Sequence, residues 1–145
     1  MTSNTDMMLK EDWNLPQKEI RKKLVDLQEA CLKLPQVEIQ VTEYLSDGTY
    51  GREIFIPKGT CAVSETHNAE WITVISRGKI KVVSEEGSSI IDATEKPVTF
   101  ISPAGAKRAA YALEDTWWCV FRYVGNLSTT EDIRQEYITN LAQIQ

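Results

Sequence analysis

The sequence predicts a mainly β protein: one barrel or sandwich of short antiparallel strands, with a helix on each side of it in the chain. Three observations carry this. Between Val37 and Val124 apolar and polar residues alternate in short runs that are broken by turn residues, about every 8–12 residues, the punctuation of an all-β domain. Before that region Ile20, Leu24, Leu27 and Cys31 recur at helical spacing. After it the helical period returns in Ile133, Tyr137, Leu141 and Ile144.

Residues 1–15 are polar and non-periodic and read as a flexible tail. Residues 16–34 read as an amphipathic helix, with Pro16 suited to the first turn and Pro35 just past the end. Its Leu stripe reads as a seam that faces the core. Residues 37–124 then supply the strands. "VEIQVTEYL" alternates, "DG" turns the chain at 47–48, and "YGREIFIPKGT" is stopped by Pro57 and Gly59. "EWITVISRGKIKVVSEEGSSIID" is punctuated at Gly78 and Gly87, and "PVTFISPAG", "AKRAAYALEDT" and "WWCVFRYV" complete the set. Residues 128–145 read as a C-terminal helix, with Ser128 and Glu131 spaced as a capping box.

At 145 residues the chain is one domain with room for a hydrophobic core. Its 42% apolar and 26% charged residues are those of a globular protein. The net charge of −5 argues against a nucleic-acid surface. Arg21, Lys22 and Lys23 are the one basic cluster, and Glu19, Asp26 and Glu29 interleave with them as on a solvated helix face. Cys31, Cys61 and Cys119 are widely spaced within apolar patterns, so buried reduced thiols and a cytoplasmic setting are expected. No leader or long apolar span marks the protein for a membrane.

Two stretches resemble the signatures of the cupins. Residues 59–78 run Gly59, five residues, Glu65-Thr66-His67, three residues, Trp71, six residues, Gly78. The cupin pattern there is Gly, His-x-His, Glu and Gly. Residues 97–112 run Pro97, five residues, Pro103-Ala104-Gly105, two residues, Arg108, three residues, Ala112. The pattern there has Gly, Pro-x-Gly, His and Asn. The resemblance spans residues 37–124 and implies a single cupin-like jelly-roll barrel. The phrases "REIFIPKGT", "SPAGAKR" and "YALEDTWW" are also similar to small cupin-like proteins encoded by bacteriophages. Many of that group carry alternating histidines where this chain has Glu65, His67, Ala69 and Trp71.

A cupin metal centre takes three His and a carboxylate, and by the spacing this chain offers Glu65, His67, Trp71 and Arg108 instead. An indole has no lone pair to donate, and a guanidinium is permanently cationic. No metal and no cofactor is therefore expected; a metal held by Glu65 and His67 is the remote alternative.

Two readings of the position stay open. In one, Arg108 and Glu65 form an ion pair that fills a defunct pocket, with His67 beside them and Trp71 as packing. In the other, Arg108 and His67 grip a small anionic or polar ligand, Glu65 lines the site and Trp71 stacks on the ligand's flat part. Ala69, Ala110 and Ala112 would leave it room. A third reading follows from the resemblance. Some cupins that isomerise nucleotide-sugars use a His base with an acidic or tyrosyl partner, which would cast His67, Glu65 and Tyr111 as catalytic.

"WWCVFRYV" is large on both faces: Trp117, Cys119, Phe121 and Tyr123 on one, Trp118, Val120 and Arg122 on the other. With two apolar helix stripes also to bury, a homodimer is expected. Its contact is expected to come from the helix face of Leu24, Leu27 and Cys31, or from the Trp118 face. A host or phage protein is a further partner that the resemblance allows; neither nucleic acid nor a membrane is expected.

Overall fold

The computed structural model describes residues 4–63, 69–105, 107–137 and 143–144. Two helices open the chain, α1 (Asn4–Leu9) and α2 (Gln17–Leu32). Eight strands follow: β1 (Val41–Ser46), β2 (Thr49–Ile56), β3 (Cys61–Val63), β4 (Trp71–Ser84), β5 (Gly87–Ala93), β6 (Val98–Ser102), β7 (Arg108–Ala112) and β8 (Thr116–Tyr123). The chain ends in α3 (Thr130–Tyr137) and a two-residue strand β9 (Gln143–Ile144).

The strands form one curled antiparallel sheet in the order β1-β2-β8-β4-β7-β3-β9, with β5 and β6 also pairing β4. The 14-residue β4 is the hinge of the curl. Its first half pairs β6 and β8, and its second half pairs β5 and β7. Between them the register shifts at Ile75–Arg77, the local bend that a bulge produces. Gly78 follows at φ 120, and a Cβ there would meet the Asp115 carbonyl oxygen at 2.5 Å, so only glycine fits this corner.

Side-chain alternation sorts the two faces of the sheet. Inward are Trp71, Thr73, Ile75, Ile80 and Val82 of β4, with Ala110 and Ala112 of β7. Ile56, Ile80, Val82, Ala110 and Ala112 form one interior cluster, with Ile54, Ile91 and Trp118 packed on it. Outward on the other half, Cys61, Val63, Val83 and Ala109 meet Ile20, Leu24, Leu27 and Cys31 of α2. The helix seam is thus buried within its own chain, each side chain contributing about 1.5–3 kcal/mol on transfer scales. Leu24, Leu27 and Cys31 are therefore not available for a contact between copies. The Trp118 face is not available either, because it lines the inside of the barrel. All three cysteines are buried thiols outside any disulfide.

The expected N-terminal tail is in part folded. Met8 and Trp13 are buried in the α2 cluster. Trp13 donates through Nε1 to the Met7 carbonyl oxygen at 2.9 Å, and Lys23 Nζ lies 4.7 Å from its ring centre. Two large apolar side chains in a polar stretch are enough to fix it.

At the other end, the described helix spans Thr130–Tyr137, and Gln143–Ile144 is a strand rather than helix. The expected stripe position Leu141 lies outside the described residues. The free edge of β3 explains the strand: Ala62 and Val63 pair Ile144 and Gln143, and tertiary hydrogen bonds override a local helical pattern. The cap also sits one residue later than the capping box predicts, with Thr129 Oγ1 accepting from the Asp132 amide at 3.2 Å. Ile133 then buries against Tyr50, Trp71 and Val124 and closes one side of the sheet.

Candidate functional site: the Arg108 end of the barrel

β7 pairs β4 with Arg108 opposite Ser84 and Ala110 opposite Val82. Alternation therefore turns Arg108 the same way as Ala110 and Ala112, toward the interior, as the sequence predicts. Arg108 Nη1 donates to Ser102 Oγ at 2.7 Å, and Ser102 Oγ lies 2.7 Å from Thr73 Oγ1 in a second hydrogen bond. Ser102 and Thr73 are buried. The guanidinium also lies over the Phe100 ring, 5.6 Å from its centre, within range of a cation–π attraction. Phe100 in turn meets Trp118 edge-on at 6.0 Å. One planar cation is thereby fixed beside two aromatic side chains. Phe100, Trp118, Ile54 and Arg108 are only half-buried although they face inward, so this end of the barrel is reached by solvent.

Burial pushes the Arg108 guanidinium below its ordinary range, and the charge of Glu86 opposes that shift. The group remains a donor-only cation. Its outer side borders a cleft of about 200 Å³ where the β4–β5 and β6–β7 turns meet the start of α2. Gln17, Ser84, Glu85, Glu86, Lys107 and Arg108 are its polar lining. Glu85 is engaged by Arg21 at 2.6 Å, and the buried Lys107 donates to Gln28 Oε1 at 2.7 Å.

The other expected site residues divide. Glu65 and His67 lie outside the described residues, and so does any pairing of Glu65 with Arg108. Trp71 is 2% exposed and serves as packing: it meets Tyr50 edge-on at 6.0 Å within the cluster that Ile133 completes. It is not placed to stack on a ligand. Tyr111 faces the opposite way from Arg108, toward the α2 cluster, because it alternates with its neighbours on β7. Ala69, Ala110 and Ala112 are buried, the latter two in the interior cluster. Among the described residues, no three His, Cys, Asp or Glu side chains gather as a metal site would need.

Sequence reasoning missed Ser102, Phe100 and Trp118. Ser102 carries a faint signal, since it precedes the Pro103-Ala104-Gly105 turn. Trp118 is separated from Trp117 by alternation alone, which does not say which face is inside.

No protein-family model and no curated protein matches the chain. Solved structures do. A cupin superfamily protein from Desulfitobacterium hafniense DCB-2 superposes with a TM-score of 0.50 at 13% identity, over 63% of this chain and 83% of that one. An RmlC-like cupin from Shewanella frigidimarina NCIMB 400 gives a TM-score of 0.50 at 12% identity, over 63% and 86%. The fold is the cupin jelly roll. Identities this low speak for the fold alone.

Proposed function

We propose that this chain is a ligand-binding cupin-type protein that takes a small anionic or polar molecule at the Arg108 end of its barrel. The observation that carries the reading is the Arg108 guanidinium held over Phe100, next to Trp118, in an interior that solvent reaches. A guanidinium fork suits carboxylate and phosphate, and a flat aromatic wall suits the body of a sugar or base. Barrel mouths are common sites for such ligands. His67 and Glu65 would complete the lining.

The isomerase-type alternative draws less support from Tyr111, which packs on the α2 side of β7 and faces away from Arg108. The metal-binding alternative would rest on Glu65 and His67 alone, since Trp71 and Arg108 are not donors of a lone pair. The phrases shared with phage-encoded cupin-like proteins support a phage origin and work in the host cytoplasm. No helix among the described residues is long and apolar enough to cross a membrane.

Thermal melts with a panel of sugar phosphates, nucleotides and small carboxylates test the ligand reading. At least one should raise the wild-type Tm, and the same compound should lose its effect in Arg108→Ala. No shift from any compound would count against the proposal. A pure ion-pair role predicts only a lower Tm for the variant, with no compound distinguishing it from wild type.

A further inference from the structure

The interior of the barrel holds more arginine than Arg108. On the half-sheet β1-β2-β8-β4-β6, register sets the inward side chains in rows across the strands. One row runs Glu43, Arg52, Val120, Thr73 and Phe100. In the next, Tyr50 pairs Arg122 and Trp71 pairs Ser102. Arg122 comes level with Trp71 there, one residue past the Ile72–Phe121 pair. Tyr50 and Trp71 are buried together with Val120 packed on them, so alternation turns Arg52 and Arg122 inward as well. Both are half-buried, as Arg108 is, and solvent reaches all three.

Two of these guanidiniums are drawn to the same end of β4. Arg122 Nη1 donates to the Glu70 carbonyl oxygen at 2.6 Å, just before β4 begins. Arg108 comes from β7 and is held by Ser102, the partner of Trp71. Ser102 and Arg122 stand on the two strands that flank β4, about 10 Å apart at ordinary strand spacing. Val120 and Phe100, half-buried one row deeper, give an apolar floor between them.

The charge here runs against that of the chain. Net charge is −5, yet Arg52, Arg108 and Arg122 face inward with Glu43 as the one carboxylate of these rows. Glu43 Oε2 accepts from the Tyr50 hydroxyl at 2.5 Å, and Glu86 acts on Arg108 from the outer cleft. Arginine is uncommon on an inward face, and a concave wall of one sign focuses its field on an ion of the other.

We propose that the ligand of this site carries two anionic groups, one taken by Arg108 and one by Arg122, with Arg52 adding charge one row deeper. The inference rests on the ligand reading above and narrows it to doubly anionic molecules of about sugar-bisphosphate length. A guanidinium fork is filled by one carboxylate or phosphate. Two forks with separate anchors, Ser102 for one and the Glu70 carbonyl for the other, match two such groups on one molecule.

The test compares probes that differ in one anionic group: fructose 6-phosphate with fructose 1,6-bisphosphate, and hexanoate with adipate. By titration calorimetry the doubly anionic member of at least one pair should bind wild type at least about tenfold tighter. The pair that shows this tells phosphate from carboxylate. Arg122→Gln, shown folded by circular dichroism, should bring that member down to its singly anionic counterpart and leave the counterpart's affinity unchanged. If Arg122→Gln fails to fold, Arg122→Lys keeps the charge, loses the fork, and should cut the preference at least about threefold. Equal affinity within both pairs overturns the inference and leaves the Arg108 reading standing. So does a full preference that survives in a folded variant. No binding by any of the four overturns both.

Discussion

Arg108 and Ser102 are joined across the β6–β7 corner by a 2.7 Å hydrogen bond in which Nη1 donates to Oγ. Because arginine can only donate, Ser102 must accept there, and its hydroxyl turns to share its second bond with Thr73 at 2.7 Å. The serine therefore orients the cation and completes a buried polar pair at the same time. Ser102→Ala should lower stability by about 1–3 kcal/mol, because Thr73 would keep a buried hydroxyl without this partner. It should also weaken any ligand that needs the Arg108 plane, though less than Arg108→Ala, which should cost about 1.5–3 kcal/mol, the scale of a charge-assisted bond. Urea denaturation and binding titrations on the two variants check this; equal stability of wild type and Ser102→Ala would contradict it.

Trp71 and Trp118 separate packing from binding. Trp71 is fully enclosed by Tyr50, Val124 and Ile133, so Trp71→Ala should lose about 3–5 kcal/mol, a large part of a domain's 5–15 kcal/mol. Trp118 is half-buried beside Phe100, and its truncation should cost less stability and more affinity. Fluorescence on single Trp→Phe variants distinguishes them. A ligand-induced change should vanish in Trp118→Phe and persist in Trp71→Phe; the reverse pattern would return Trp71 to the site.

The first residues of the chain should matter for folding. Trp13 is 2% exposed and Met8 fully buried against α2, so Trp13→Ala should cost about 3–5 kcal/mol. Removal of residues 1–15 should cost at least as much. A truncated protein with an unchanged Tm would restore the tail to the loose state that its polar composition suggests.

The order of strands and turns was legible in the sequence because glycine and proline mark corners where few other residues fit, Gly78 being the clearest case. Helix α2 was legible because four apolar residues repeat at its period. What stayed hidden depends on which side of the sheet is inside. Alternation separates Trp117 from Trp118 and Arg108 from Tyr111, but either set could face the core until the neighbouring strands are in place. The Trp118 face, expected at a contact between copies, turned inward instead, which left Phe121 outside. Gln143–Ile144 were misread for a related reason: a two-residue strand exists only because β3 has an edge to offer, and nothing local announces it. The inward turn of Arg108 was legible from its alternation with Ala110 and Ala112, while its buried partner Ser102 depends on pairing with a strand about thirty residues earlier.

Alkaline pH should erode stability through Cys119. Its thiol donates to Glu53 Oε2 at 3.3 Å. Burial first, and then that bond and the carboxylate charge, push its pKa up to about 11, with a hydrogen bond to Ser76 in partial opposition. The ordinary value is near 9, so between about 9 and 11 the unfolded chain releases a proton that the folded chain retains. The folded state is then the one binding more protons, and its stability falls as pH rises, by at most about 1.4 kcal/mol per pH unit from this group. Below about pH 9 the contribution is complete. Cys119→Ala removes the titrating group and leaves Cys31 and Cys61 in both proteins, so their effects cancel in the comparison. The stability of wild type relative to the variant should therefore hold steady from pH 7 to about 9 and decline toward pH 11. Urea denaturation at a series of pH values measures that difference directly, and a difference that stays constant to pH 11 would show that Cys119 keeps an ordinary pKa in the folded sheet.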